Sequence, residues 1–152
     1  IIVDKVIGKE KFFDYSPFDD QTRYVITNSK IPVGIFIDKN LEEVNKIFVP
    51  FFHESDKKLI PFILKFIQNN DSQIVIMDIK GHLKTNTFIK EEIRLIEQAK
   101  PNHISVLSDT EIDLNLIQQQ DLILTTVKSW RNMIDKKYNW LKNTTSLLLI
   151  KP

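Results

Sequence analysis

Side chains able to do chemistry are few in this chain, and their spacing brings little together. The three histidines, His53, His82 and His103, show neither His-x3-His nor Glu-x2-His spacing, so no pair is expected to meet on one helix turn and hold a metal. Cysteine is absent, which removes thiolate nucleophiles, disulfides and zinc–thiolate sites and accords with a reducing compartment. No serine stands in a G-x-S-x-G turn, and no nucleophile has an identifiable base beside it. The expectation is therefore no catalytic residue, no metal and no cofactor. Three residues stand where open α/β sheets receive ligands, at or just past strand ends: His53, Asp78 and Lys128. Each also has a plainer role, as an exposed loop histidine, a strand-end cap and a solvated lysine. The plainer role is the one expected, because position in a fold is analogy and not chemistry. Trp130 and Trp140 are expected to supply one core residue and one interface residue.

Composition narrows the class further. The 152 residues are 42% hydrophobic and 27% charged, ordinary values for a globular chain. A net charge of +1, with both signs interspersed, gives no basic patch and no expectation of nucleic acid. No run approaches the ~18 apolar residues of a membrane-crossing helix. The N-terminal "IIVD" lacks the basic start and longer apolar core of a signal peptide, and is read as a fragment boundary.

The elements that must position any site alternate regularly from residue 46. "KIFVPFF" (46–52) is a buried strand. "HESD" follows with Ser55 as N-cap, and 56–67 form a helix that Pro61 should kink or start late. "SQIVIMDI" (72–79) is a strand, "KGHLKTN" a loop, and 87–99 a helix with Phe88, Ile89, Ile93 and Ile96 on one side. Within it, 90–100 alternates charge as a solvated face does. "HISVLS" (103–108) is a strand, 109–120 a short helix capped by Ser108 or Asp109, and "DLILTTV" (121–127) a strand. A helix over 129–143 and "SLLLIK" (146–151) complete the chain. Strands joined through helices need crossover connections, so the expected fold is α/β: a doubly wound, five-stranded parallel sheet over 46–151 with helices on both faces.

The first 38 residues stand outside that count. "IIVDKVIG" reads as a strand, "SPFDDQ" as a turn, "TRYVITNSK" as a short helix and "IPVGIFID" as a strand. The end of the chain has the same strand–helix–strand order. The expected organisation is thus 1–38 as the C-terminal remnant of a preceding similar domain, 39–45 as linker, and 46–152 as the α/β domain.

Several of these stretches carry a resemblance. "SKIPVGIFIDKN" (29–40) is similar to an "APCSVGILVDRG" pattern, and "IFVPFFHESDKKLIPFILKF" (47–66) to "VLFFGGPDDREALALA". Phe51, Phe52 and Asp56 match that second pattern, while His53 and Glu54 replace its two glycines. "DLILTTVKSW" (121–130) resembles "DLVVVGR". These patterns belong to the universal stress protein family, and the first two to one branch of it, the tandem cytosolic C-terminal region of bacterial monovalent cation/proton antiporters. The resemblance implies strand order 3-2-1-4-5, and a fifth strand pairing antiparallel with its counterpart in a second domain. Strands 31–37 and 146–151 would be those partners, within one chain or across a dimer, with Pro32 at a strand start.

It also implies a function: a non-catalytic regulatory or interaction domain of a Na+ or K+/proton antiporter. Such a domain lies on the cytoplasmic side of the bacterial inner membrane, and its transport domain lies elsewhere in the same polypeptide. The implied partners are that transport domain, a second copy through edge strands, and a small-molecule ligand of unknown identity. The alternative is a stand-alone universal stress-like protein. Nucleotide binding in the family's manner needs G-x2-G-x9-G-[ST] after the fourth strand, because backbone must approach phosphate closely. Here "TTVKSWRNMIDKKYNWLKNTTS" (125–146) has no glycine, and Phe52 replaces the Asp that ATP-binding members carry after the first strand. The chain's glycines are Gly8, Gly34 and Gly81. An α/β enzyme acting on a nucleotide would need the phosphate loop that is missing.

Overall fold

Apolar runs of five or six residues, short polar connections and amphipathic helices assemble around one sheet. The computed structural model describes residues 2–3 and 20–152. In chain order these form β1 (Ile2–Val3), α1 (Asp20–Asn28), β2 (Val33–Ile37), β3 (Lys46–Phe51), a 3₁₀ segment (Glu54–Leu59) and α2 (Ile60–Asn70). Then come β4 (Gln73–Asp78), α3 (His82–Thr85), α4 (Thr87–Ala99), β5 (Ile104–Leu107), α5 (Leu114–Gln118), β6 (Leu122–Thr126) and α6 (Val127–Asp135). A second 3₁₀ segment (Asn139–Asn143) leads into β7 (Ser146–Lys151). Most of the strand expected at 1–8, with Gly8, and the first four residues of the turn expected at 16–21 lie outside the described residues; its last two, Asp20 and Gln21, belong instead to the first turn of α1.

The strand order is β1-β2-β7-β6-β3-β4-β5. From β5 to β7 every pairing is parallel, as crossover helices require. The five strands of 46–151 keep the order inferred from the resemblance, but among the described residues the sheet has seven strands, not five. The reason lies in β7: its outer edge is apolar and is filled by β2 of the same chain. That pairing is antiparallel, from Val33 opposite Lys151 to Ile37 opposite Leu147. β1 adds parallel to β2, with Ile2 opposite Ile35. Pro32, which has no N–H to donate, precedes the first residue of its strand.

Side chains alternate across the sheet and build a core on each face. Phe51 and Phe52, adjacent in sequence, divide between the two. One core gathers Ile35, Ile37, Phe48, Trp130, Met133 and Leu149 under α1, α5 and α6. The other gathers Val49, Ile63, Ile67, Ile76, Ile89 and Leu124 under α2 and α4. Trp130 and Trp140 are both fully buried, so neither serves as the expected interface residue.

Four local expectations are corrected, and of the two alternatives given for Pro61 the late helix start is the one realised. His53, not Ser55, precedes the first helical turn, and Asp56 accepts from its N–H. That turn is 3₁₀, so α2 starts late at Ile60 and Pro61 falls in its first turn, where a missing N–H breaks no helical bond. The "KGHLKTN" loop contains α3, entered through Gly81 at φ 75°. The helix after β5 begins only at Leu114, because Asp113 accepts from Asn115 N–H while Asp109 accepts from Thr110 N–H and holds a bend. Finally, the segment expected as one helix over 129–143 starts at Val127 and stops at Asp135. Lys137 turns left-handed there (φ 51°), and the following 3₁₀ segment returns Trp140 and Leu141 to the core.

Candidate functional site

The sheet reverses its winding between β3 and β6, and a proline opens that point. Phe51 O accepts from Ile79 N on the β4 side of β3, whereas Lys46 O accepts from Asp121 N on the β6 side. Backbone groups alternate along a strand, so Pro50 turns its donor-less nitrogen toward β6. Correspondingly, β3 and β6 are in register only at Ile47–Leu122 and Phe48–Ile123, and diverge beyond.

Asp56 bridges the gap. Its Oδ2 accepts from Phe52 N at 2.9 Å, His53 N at 3.0 Å and Ser129 Oγ at 2.7 Å. Its Oδ1 accepts from Thr126 Oγ1 at 2.7 Å and Ser129 Oγ at 2.9 Å. Thr126 Oγ1 in turn accepts from Ser129 N and caps α6. The carboxylate has no exposure, and its hydrogen bonds join the ends of β3 and β6 to the start of α6. The sequence carried a signal for Asp56, its match to the "FFGGPDD" pattern, but nothing that assigned it this role.

Beside that knot lies a cleft of about 610 Å³ where α1, the 3₁₀ segment at Glu54–Leu59, α6 and the end of β7 meet. Lys58, Lys128, Arg131 and Lys151 line it together with Thr126 and Asn132, and among the described residues no acidic side chain does. Lys151 Nζ donates to Ser29 O at 2.7 Å. Among the described residues no ion pair involves Lys58, Lys128 or Arg131. β6 passes into α6 with no residue between them, so no loop bares backbone toward this cleft.

The residues singled out from sequence fall around this point without forming one constellation. Lys128 lines the cleft. His53 sits beside it and accepts at Nε2 from Asn132 Nδ2–H. Burial holds its pKa below the usual histidine value, Lys128, His82 and Lys80 add to that, and Asp56 opposes it. Asp78 accepts from Leu83 N at 3.0 Å and so caps α3, while its buried Oδ1 has no partner among the described residues. His82 Nε2–H donates to Phe52 O at 3.2 Å, and His103 lies in the turn before β5. Among the described residues no cluster of His, Asp and Glu could hold a metal ion. No described helix is long and apolar enough to cross a membrane.

No protein-family model matches the sequence, and no curated protein matches it. Among solved structures, the fold is similar to that of a universal stress protein from Archaeoglobus fulgidus DSM 4304, with a TM-score of 0.55 and 12% sequence identity. The likeness covers 97% of this chain and 58% of that one, so the chain spans less than two thirds of its structural relative. At that identity the likeness concerns the fold: α/β, with a mostly parallel sheet.

Proposed function

We propose that this chain is a non-catalytic regulatory domain that takes its signal as an anionic ligand in the basic cleft. The observation that carries the reading is the convergence there of Lys58, Lys128 and Arg131 without carboxylate partners among the described residues. The nearby carboxylate that could act as a base, Asp56, already accepts from four donor groups and is sealed from solvent. The finer reading follows the sequence resemblance: the cytoplasmic tail of a bacterial monovalent cation/proton antiporter, attached to its transport domain at the inner membrane. Under it, 1–38 is the remnant of a preceding similar domain, 39–45 the linker and 46–152 the second domain. The antiparallel junction of β2 and β7 supports that division. A ligand would act by preferring one state of the transporter over the other.

Thermal-shift titration with inorganic pyrophosphate and with cyclic dinucleotides tests the ligand reading. A concentration-dependent rise in melting temperature, lost in Arg131→Glu, is the expected result; no shift with any polyanion sinks it. ATP should bind no tighter than millimolar, since no glycine loop admits its phosphates to backbone. Transport context is tested separately by reading the gene upstream of Ile1. Ten or more apolar segments of about 20 residues are expected there. Their absence would leave the stand-alone stress-protein-like alternative.

A further inference from the structure

The hydrogen bond between His53 and Asn132 ties an ionisable ring to the wall of the basic cleft. His53 precedes the first 3₁₀ turn after β3, and Asn132 lies on α6. Asn132 Nδ2 is 2.5 Å from His53 Nε2 and donates to it, so the neutral ring carries its proton on Nδ1. Asn132 also lines the cleft, together with Lys58, Lys128, Arg131 and Lys151. Its Oδ1 accepts no hydrogen bond among the described residues. The neutral ring therefore engages the donor side of the amide. It leaves the acceptor oxygen as the amide's unused group beside four cationic side chains.

We infer that His53 and Asn132 form a proton-operated contact of the cleft: a second proton on the imidazole turns the Asn132 amide over, so that its Nδ2–H groups become available to an oxyanion held by Lys58, Lys128 and Arg131. Donor and acceptor counting requires the turn. A protonated imidazole carries N–H at both nitrogens and only donates. Two N–H groups 2.5 Å apart repel, and a half-turn of the terminal Asn132 torsion sets Oδ1 opposite Nε2–H. One proton thereby changes the site twice. It adds a positive charge beside the cleft, and it exchanges an unused acceptor for donors. Both changes favour an anion, and by linkage an anion in the cleft holds the proton on His53. Burial chiefly resists that proton, followed by Lys128 on α6 and then His82 and Lys80 at the start of α3, while Asp56 on the 3₁₀ segment favours it. Glu54 is engaged elsewhere, pairing with Lys57 at 3.4 Å and accepting from Asn86 Nδ2 at 2.9 Å. An oxyanion beside Lys128 offsets the largest opposing charge. The inference rests on the basic-cleft reading and adds to it a proton taken up with the ligand.

Nitrogen-15 NMR of the histidine rings in the full chain tests it. Sulfate is the probe, because its charge is constant near neutral pH, and chloride at equal ionic strength is the control. Without sulfate, the neutral His53 ring should be the Nδ1–H form. Saturating sulfate should raise the His53 midpoint by about one pH unit, equivalent to about tenfold tighter sulfate binding to the protonated ring. His53→Gln, which does not titrate, should bind sulfate with one affinity on both sides of that midpoint, whereas His82→Gln should keep the pH dependence. An Nε2–H form, a midpoint that bound sulfate leaves in place, or a pH dependence that survives in His53→Gln would overturn the inference and leave the cleft as an anion site. Absence of sulfate binding at every pH would overturn it too, and the pyrophosphate titration then decides the cleft reading separately.

Discussion

Asp56 takes hydrogen bonds from two backbone N–H groups and two hydroxyls where β3 and β6 part. Removing it strands four donors in a site closed to water. Asp56→Ala should therefore cost about 3–5 kcal/mol, the range for breaking a buried charged network, read by urea denaturation. A loss below about 1 kcal/mol would mean that water enters and satisfies the donors. Two histidines give opposite pH signatures. At His103, Nε2 pairs with Asp71 and Nδ1 with the Pro101 and Lys100 carbonyls, contacts that favour the protonated ring, so its pKa is raised, chiefly by the Asp71 hydrogen bond. Its contribution is full below about pH 6.5, the unfolded value, and disappears as pH rises through the higher folded value. At His53 the pKa is lowered, chiefly by burial, so its contribution is present above about pH 6.5 and disappears as pH falls through the lower folded value. Stability followed across pH 5–8 should peak near the middle, and His103→Asn should remove the decline on the alkaline side. None of this was legible in spacing. Neighbours such as Asp71 and His103, or Asp56 and Ser129, lie far apart in sequence and meet only through sheet register.

The elements were more legible, because apolar runs separated by amphipathic segments dictate crossovers. β3, β4, β6, β7 and α4 fall where pattern places them, since each is long enough for its period to show. The misplaced elements, α3, α5 and the break after α6, are short, and capping or one left-handed residue decides them. β2 offers an element-scale test. Gly34 has no side chain to pack, and a methyl there would lie 3.5 Å from both Ile150 Cδ1 and Leu148 Cδ1, ordinary contact at the edge of an apolar groove. Gly34→Ala should stabilise the protein by about 0.5–1 kcal/mol, since strand glycine carries excess unfolded-state entropy. A lowered melting temperature would mean that the neighbouring side chains cannot accept the methyl. Backbone hydrogen exchange addresses the same strand. Amides of Val33, Ile35, Leu148 and Ile150 should be among the slower exchangers; free-linker rates over 31–37 would contradict the β2–β7 ladder.

At the scale of the whole molecule, the sequence indicated two repeated strand–helix–strand units but not how much each depends on the other. Ile26, Val33, Ile35 and Ile37 share a core with Phe48, Trp130, Met133, Leu147 and Leu149. α1 and β2 thus supply part of one core of the sheet, and β2 covers the apolar edge of β7. Lys39 N also donates to Ser146 Oγ at 2.9 Å where the chain leaves β2 for β3. A chain reduced to 46–152 retains five parallel strands and helices on both faces, so it should keep its helical and strand content. It would, however, present β7 as an open edge of Leu147, Leu148, Leu149 and Ile150, a template for strand addition. The expected outcome is a lower melting temperature together with self-association through β7. Leu148→Lys should break this new contact. If the shortened chain instead stays monomeric and as stable as the whole, β2 is an accessory to the fold, and the tandem reading loses the physical support that the β2–β7 junction provides.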